Sequence, residues 1–520
     1  MISSVFKQYG NGDLISRIYL IVPRHEKSFW SMQGTVELLG AKTLMPNAAL
    51  ATLMALTPDD VNVEYVLCDE NVSEIDWDLP CDLVAVTGST LNIKRITELC
   101  KAFRQRSVPV VLGGSYASIN ADKCRGLADY HFIGEAEYTW PRFLHQWTKG
   151  EAERVYVQET FIDLKDSPPP DWSLIDASHY LNMPVQTSRG CPNQCDFCDV
   201  IQYVGRKYRI KSVDQVLEEI QNAHALGART VFFSDDNFLG NKSYTKELLT
   251  KIIQWNVAQT QPLSFSTQIT VEVGDDKNLL QMFADACFSV LFLGVETVRK
   301  ESLEEIHKKH NLKYDIQKRI KRISRYGIVP LIGLIVGFDN DDASVFDDLY
   351  NFLDETASPI AGISLLNAPR NTPLYKRLKK EDRLLGDDFS GEWQLNTNII
   401  PKQMTIGELS RRYHDLFQRI YDPELFNSRF KRWLEQVEYF NSIYTNKKKD
   451  RKQLLYFFKM LVFFLFQADS NVRSVFFHNI VLAWRTNPRL MRRTFTVLAQ
   501  YKHFYYFLRE LRAMEQRNPD

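Results

Sequence analysis

Short apolar runs rich in Val, Ile and Leu recur along most of the chain, and amphipathic stretches separate them. Runs that are apolar on both faces predict strands buried in parallel sheets. A first series falls at 17–23, 61–68, 83–87, 108–112 and 130–133, with helices predicted at about 47–55 and at 93–105. This alternation predicts a doubly wound, Rossmann-like α/β domain over residues 1–150. The run Ser167-Pro168-Pro169-Pro170-Asp171-Trp172 can be neither helix nor central strand, so 151–182 reads as an extended linker. The pattern restarts at Met183. Apolar runs at 183–187, 230–234, 263–269, 290–294, 329–336 and 362–366 alternate with helical stretches such as 212–226 and 313–326. Six such units with right-handed crossovers predict a partial (β/α)6 barrel over 183–385. Residues 386–520 read as a helical C-terminal domain.

Ligands of parallel sheets gather at the carboxyl ends of the strands. In the first series those ends read Thr87-Gly88-Ser89-Thr90, Gly113-Gly114-Ser115 and Gly134-Glu135-Ala136-Glu137. Glycine there lets a bulky ligand approach the backbone. By themselves these segments indicate a nucleotide-like binding domain of unspecified ligand. The second series carries sharper chemistry. Its first strand leads into SRGCPNQCDFC, with Cys191, Cys195 and Cys198 spaced C-x3-C-x2-C. Three thiolates this close can hold three irons of a four-iron cluster and leave the fourth open. Four cysteines would saturate a cluster or a zinc, so the number three is informative. The bland alternative is three structural cysteines or a partial zinc site. Asp235, Asp236 and Asn237 end the second strand, Ser266 and Gln268 the third, and Glu296 follows the fourth. Gly333, Ile335 and Gly337 lie on the fifth. Two adjacent carboxylates alone would also suit a metal site or a solvated turn.

The cysteine loop, with Phe197 before its third cysteine, closely resembles that of the radical S-adenosylmethionine (SAM) superfamily. The resemblance implies a [4Fe-4S] cluster on Cys191, Cys195 and Cys198 whose open iron chelates SAM. Reductive cleavage of SAM then yields a 5′-deoxyadenosyl radical, chemistry that needs a cofactor because side chains cannot perform it. It also implies SAM contacts from Asp235, Asp236, Asn237, Ser266, Gln268, Glu296 and the stretch Gly333 to Gly337. Placed before such a barrel, the 1–150 domain is similar to the cobalamin-binding domain of the cobalamin-dependent class. Thr87, Gly88, Ser89, Gly113, Gly114, Ser115, Gly134, Glu135 and Glu137 are then expected around cobalamin. Asp129 to Gly134 satisfies D-x-H-x-x-G, a cobalt-ligand pattern elsewhere, but it falls on the last strand rather than the first. His131 is therefore read as a strand histidine, and His25 in the first loop is a weak candidate. Downstream, Asp339-Asn340-Asp341, the stretch Ala368 to Tyr375 and Asn396-Thr397-Asn398-Ile399 look like the branch that includes the hopanoid methylases.

The resemblance implies methyl transfer to an unactivated carbon of a small or lipid-like substrate, with a flavodoxin or ferredoxin as reductant. An oxidase, cyclase or rearrangement outcome stays open, and a non-catalytic cobalamin sensor is the reading from another class. No second cysteine trio precedes the barrel, which disfavours methylthiolation.

Composition changes this picture little until it is split. Hydrophobic residues make up 44% and charged residues 25%, and the net charge is zero, so no nucleic-acid partner is implied. The other cysteines (Cys68, Cys81, Cys100, Cys124, Cys287) show no paired spacing, which suits a reducing cytoplasm. The N-terminus shows no signal peptide, and no apolar run is long enough to span a bilayer. Residues 401–520, however, hold 22 Lys+Arg against 11 Asp+Glu, a net of +11. That end is also rich in aromatics, among them Phe463, Phe464, Phe466, Phe476, Phe477 and Phe504. Aromatics at helical spacing are ordinarily core. A basic surface beside apolar groups also suits peripheral contact with the inner face of a membrane. The run 447–452 (KKKDRK) reads as a solvated interhelical loop.

Overall fold

The structure, a computed structural model, describes residues 7–9, 16–26, 28–312, 315–386, 396–441 and 458–517. The basic run 447–452 lies outside the described residues. Among the described residues, fifteen strands form two large sheets and a small ribbon. The first sheet comprises β1 (Lys7–Tyr9), β2 (Ser16–Val22), β3 (Val63–Asp69), β4 (Leu83–Thr87), β5 (Val110–Gly113), β6 (Tyr130–Ile133) and β7 (Val155–Val157). Its order is β1-β3-β2-β4-β5-β6-β7, parallel except where β1 meets β3. The stretch read as a linker from 151 thus opens with an edge strand of this sheet. Leu83–Thr87 is buried at every position, as a strand covered on both faces must be.

The second sheet runs in chain order: β8 (Met183–Val185), β11 (Thr230–Phe233), β12 (Ser264–Ile269), β13 (Phe288–Glu296), β14 (Val329–Val336) and β15 (Ile360–Leu365), all parallel. Between β8 and β11 lies an antiparallel ribbon of β9 (Ser188–Arg189) and β10 (Arg209–Ile210). In β12 and β13 one set of side chains is buried against helices, and the alternate set faces the lumen half-buried or exposed. Sequential parallel strands with helices outside and a lined lumen make the partial barrel expected from the sequence.

The helices Ile406–Ile420, Pro423–Gln436, Ser470–Thr486 and Met491–Arg517 are the longest of the C-terminal part among the described residues. Thr405, Asp422 and Asp469 cap the first three by accepting backbone N–H bonds, each cap contributing ~1 kcal/mol. The last helix returns to the N-terminal domain and docks on the short helix Gln33–Leu38. His503 sits in that contact. Its Nδ1 accepts from the Gly34 amide at 3.2 Å, and its Nε2 lies 2.9 Å from the Phe29 carbonyl. Thr35 Oγ1 donates to the Ala499 carbonyl, and Lys502 Nζ to that of Gly34.

One ring nitrogen of His503 must accept, so the neutral imidazole fits and the imidazolium does not. Burial lowers its pKa from 6.5 to about 4. Between those values the unfolded chain takes up the proton and the folded chain does not, so stability falls as pH drops from about 6.5 to about 4. A shift of this size is worth on the order of 3 kcal/mol. Thermal unfolding across that window should show this slope in the native chain and a shallower one in His503→Asn; equal slopes would refute it.

Candidate functional site

The strand ends of the first sheet converge through glycine. Gly114 has φ +93, and a Cβ there would lie 2.6 Å from Thr87 Oγ1 and 2.8 Å from the Gly88 carbonyl. The ends of β4 and β5 therefore cross in contact, at a separation only glycine permits. Ser89 caps the turn Thr90–Asn92, and Ser115 opens the helix Ser115–Ile119. Asn92 Nδ2 reaches the carbonyls of Pro23 and Arg24 and lies 3.0 Å from His25 Nδ1, which ties the loop after β2 to the end of β4. Gly134 has φ +88, and its amide donates to Ser118 Oγ. His131 lies on β6 with Nε2 3.1 Å from the Ala128 carbonyl. Beside these ends a cavity of about 570 Å³ opens between the two sheets. Thr90, Tyr116 and Asn120 line one side, and Asp199, Arg370 and Tyr375 the other.

Glu135 and Glu137 do something different from what the sequence suggested. Arg189, on β9 and two residues before Cys191, places Nη1 2.9 Å from Glu135 and Nη2 2.7 Å from Glu137. Arg209, its partner across the ribbon, bonds both Glu135 oxygens at 2.9 Å and the Ile162 carbonyl. Ser167 Oγ donates to Glu137. All four charged side chains are largely buried. Burial alone would raise the Glu137 pKa, but Arg189 holds it below the usual carboxylate value. Both carboxylates expected at the cofactor are thus engaged in joining the first domain to the cysteine loop.

That loop is fixed on its other side by the end of β11. Gly190 has φ +94, and its amide donates to Asp236 Oδ2 at 3.2 Å. Asp235 is fully buried and accepts from the Thr187 and Ser188 amides at 2.7 and 3.0 Å and from the Thr187 hydroxyl. Burial lifts its pKa to about 6. Of the expected SAM contacts, Asp235 is thus turned to the backbone of the cysteine loop, and Asn237 accepts from the Leu239 amide through Oδ1. Cys191, Cys195 and Cys198 are free thiols, half-buried, and Cys191 lies close enough to raise the pKa of both others. Burial is the larger cause and pushes Cys198 up to about 12.

The lumen carries the rest. Ser266 and Gln268 face it from β12, while Phe265, Thr267 and Ile269 are buried behind. Gly294, Gly333 and Gly362 stand in register on three neighbouring strands. A Cβ at Gly294 would meet Glu296 Oε1 at 2.6 Å, at Gly333 the Phe292 ring at 2.8 Å, and at Gly362 the rings of Phe29 and Trp30 at 2.7 Å. This glycine row gives those side chains their space. Glu296 has φ +65 at a bulge in β13 and pairs with Lys308, which is almost fully buried. Burial alone would lower the Lys308 pKa, but Glu296 and the thiols of Cys195 and Cys198 hold it above the usual lysine value. Ile335 is half-buried in the row beside Gly333, and Gly337 (φ +108) donates to Asp341, itself buried and raised to about 6. Trp30, from the loop after β2, meets Phe292 edge-on at 5.2 Å. Phe29 beside it is held by Phe417 and Phe504.

Residues 185–353 match the sequence model of the Radical SAM superfamily, and 372–517 match a domain of unknown function (DUF4070). An uncharacterized methyltransferase of Synechocystis sp. is 32% identical over 94% of this chain and 92% of its own length. The hopanoid C-2 methylase of Rhodopseudomonas palustris is 30% identical, covering 81% of this chain and 80% of its own. The chain belongs to the radical SAM family that includes these methyltransferases. It is a radical SAM enzyme, a family whose cofactors are a [4Fe-4S] cluster and SAM. The fold agrees with a solved relative, the cobalamin-dependent SAM radical enzyme OxsB with aqua-cobalamin and SAM bound. That chain superposes with a TM-score of 0.60 at 14% identity, over 97% of this chain and 81% of its own.

The residues present fit these groups. Among the described residues no three His, Cys, Asp or Glu groups close around a single metal ion. The three loop thiols lie within electrostatic reach of one another on one loop, the donor set that three irons of one cluster need. Lys308, Arg189, Arg209, Trp30 and the register of Gly333 with Gly294 and Gly362 went unread in the sequence. Lys308 sits in IHKKH, which looks like a surface charge run, and only its burial against Glu296 reveals otherwise.

Proposed function

We propose that this radical SAM enzyme methylates an unactivated carbon of an apolar, lipid-like molecule. The observation that carries the reading is the lumen itself: the Glu296–Lys308 pair, within electrostatic reach of the cysteine thiols, and further along the same face of β13 an apolar wall of Phe292 and Trp30. Cys191, Cys195 and Cys198 would hold the cluster. Asp236, Asn237, Glu296 and Lys308 would bind the polar end of SAM, with Ser266, Gln268 and the stretch Gly333 to Gly337 along its nucleoside. Lys308 offers a buried ammonium to a carboxylate. Thr87, Gly88, Ser89, Gly113, Gly114, Ser115 and Gly134 would hold cobalamin on the strand ends beside the cavity. When bound, these cofactors supply the hydrogen abstraction and the methyl delivery that no side chain can perform.

The protein's own part is placement and exclusion. Trp30 and Phe292 keep water from the reacting carbon, and the glycine row makes room for flat groups against the sheet. A flavodoxin or ferredoxin of the cytoplasm would supply electrons, and the lipid-like substrate would be met at the inner membrane surface. No helix among the described residues is long and apolar enough to cross a membrane.

The test is the anaerobic enzyme with reductant, methyl-labelled SAM and a cell extract. 5′-Deoxyadenosine should appear together with label in an organic-extractable product. 5′-Deoxyadenosine without label transfer would replace methylation by an oxidase or cyclase outcome, and label confined to polar products would remove the lipid-like substrate.

A further inference from the structure

The C-terminal helices carry a face that nothing else in the described chain covers. From Ser470 to Arg509 the sequence contains no Asp or Glu, while Arg473, Arg485, Arg489, Arg492, Arg493, Lys502 and Arg509 all fall within it. Arg493 and Lys502 point inward, to the carbonyls of Phe288 and Gly34. Arg509 pairs with Asp469. Arg485, Arg489 and Arg492 are exposed, and among the described residues no carboxylate pairs with them.

Large apolar side chains stand beside these cations. On the helix Ser470–Thr486, Val481 is 46% exposed and Trp484 66%, and with half-buried Phe477 they occupy one face at i, i+4 and i+7. The turn Phe463–Gln467, packed on the same helix, adds Phe466 at 77% exposure. The opposite face of the helix is already used. Val472, Val475, Phe476 and Ala483 are buried, and Phe476 stacks on Phe464 at 3.8 Å. The helix is therefore apolar on two sides, and only one side has a partner. An exposed apolar face of this kind marks an interaction site.

Charge decides what kind. Unpaired arginines around an exposed Trp suit the interfacial layer of an anionic bilayer, where the indole lies at headgroup level and the guanidiniums meet phosphates. We propose that Phe466, Phe477, Val481 and Trp484, with Arg485, Arg489 and Arg492, dock this enzyme on an anionic lipid surface without spanning it. This deepens the reading of a lipid-like substrate and rests on it for its purpose. The next helix of the same hairpin holds Phe29 through Phe504 at 4.5 Å, and so seats Trp30 at the lumen. The docking face and the substrate-facing wall thus belong to one structural unit.

The test uses the full anaerobic chain and vesicles of phosphatidylcholine with or without phosphatidylglycerol. The chain should pellet with the phosphatidylglycerol vesicles and be released by salt. Trp484→Ser should weaken the partition roughly tenfold and Arg485→Gln about fivefold. Iron content and 5′-deoxyadenosine release should not change in either variant, which keeps a failure of docking distinct from a failure of the catalytic reading. Three results would overturn the proposal: no pelleting with phosphatidylglycerol, pelleting that ignores both variants, or a dimer in sedimentation velocity that Trp484→Ser dissociates. The last would assign the face to a second copy of the chain.

Discussion

Cys195→Ala protein, purified anaerobically, is expected to carry almost no cluster iron and to release no 5′-deoxyadenosine from SAM. The same holds for Cys191→Ala and Cys198→Ala, because a cluster held by two thiols in an open loop has lost both a ligand and its registration. The loop itself should survive. Its backbone is held by Asp235 and Asp236 through the amides of Thr187, Ser188 and Gly190, and by Arg189 through two carboxylates. Far-ultraviolet circular dichroism and the unfolding transition should therefore match the parent apoprotein. Cys287 supplies the control. It is buried at the start of β13, away from the loop, and its carbonyl accepts the Phe265 amide. Cys287→Ala should keep its iron and its SAM cleavage. Iron unchanged in Cys195→Ala would sink the cluster assignment, and iron lost from Cys287→Ala would show that the assay reports folding.

The parts of this site that were legible in the sequence are those encoded locally. A C-x3-C-x2-C spacing lies within one loop, and a strand buried on both faces announces itself as an apolar run. Leu83–Thr87, Tyr130–Ile133 and Val329–Val336 fall where the apolar runs lie, residue for residue. Strand β7 escaped because an edge strand of three residues, exposed, buried, exposed, has no such run. The glycines of 294, 333 and 362 were invisible as a group, since only the register of three strands aligns them. The ion pairs of Glu135 and Glu137 were hidden for a related reason. A glycine-rich strand end with two carboxylates looks like a ligand loop, and the arginine that claims them lies 54 residues further on. The aromatics of the C-terminal end suited both a core and a surface in the sequence, because Phe464, Phe476 and Phe504, which are buried, share their composition with Phe466 and Trp484, which are not.

Arg189→Ala should be the most damaging substitution that removes no cofactor ligand. It leaves Glu137 buried with no cation, keeping the Ser167 hydroxyl and a backbone amide, and leaves Glu135 with Arg209 as its one cation. Removing one partner of a buried ion pair typically costs ~3–5 kcal/mol, because the stranded charge keeps its desolvation penalty. Arg189→Lys should recover only part, since one ammonium cannot serve two carboxylates as a forked guanidinium does. The double variant Arg189→Ala/Glu137→Ala should be less destabilised than the sum of the singles, with a coupling of about 1–3 kcal/mol in denaturant unfolding. The consequence reaches the chemistry because the ribbon carrying Arg189 runs straight into Gly190 and Cys191, while Glu135 and Glu137 close the strand ends where cobalamin would rest. Freed from this bridge, the two sheets lose their fixed spacing. Iron should stay bound in Arg189→Ala while cobalamin binds more weakly, a pattern that general unfolding would not produce. Additive single and double variants, or cobalamin affinity equal to the native chain, would show that the bridge is ordinary surface pairing and that the two sheets are aligned by other contacts.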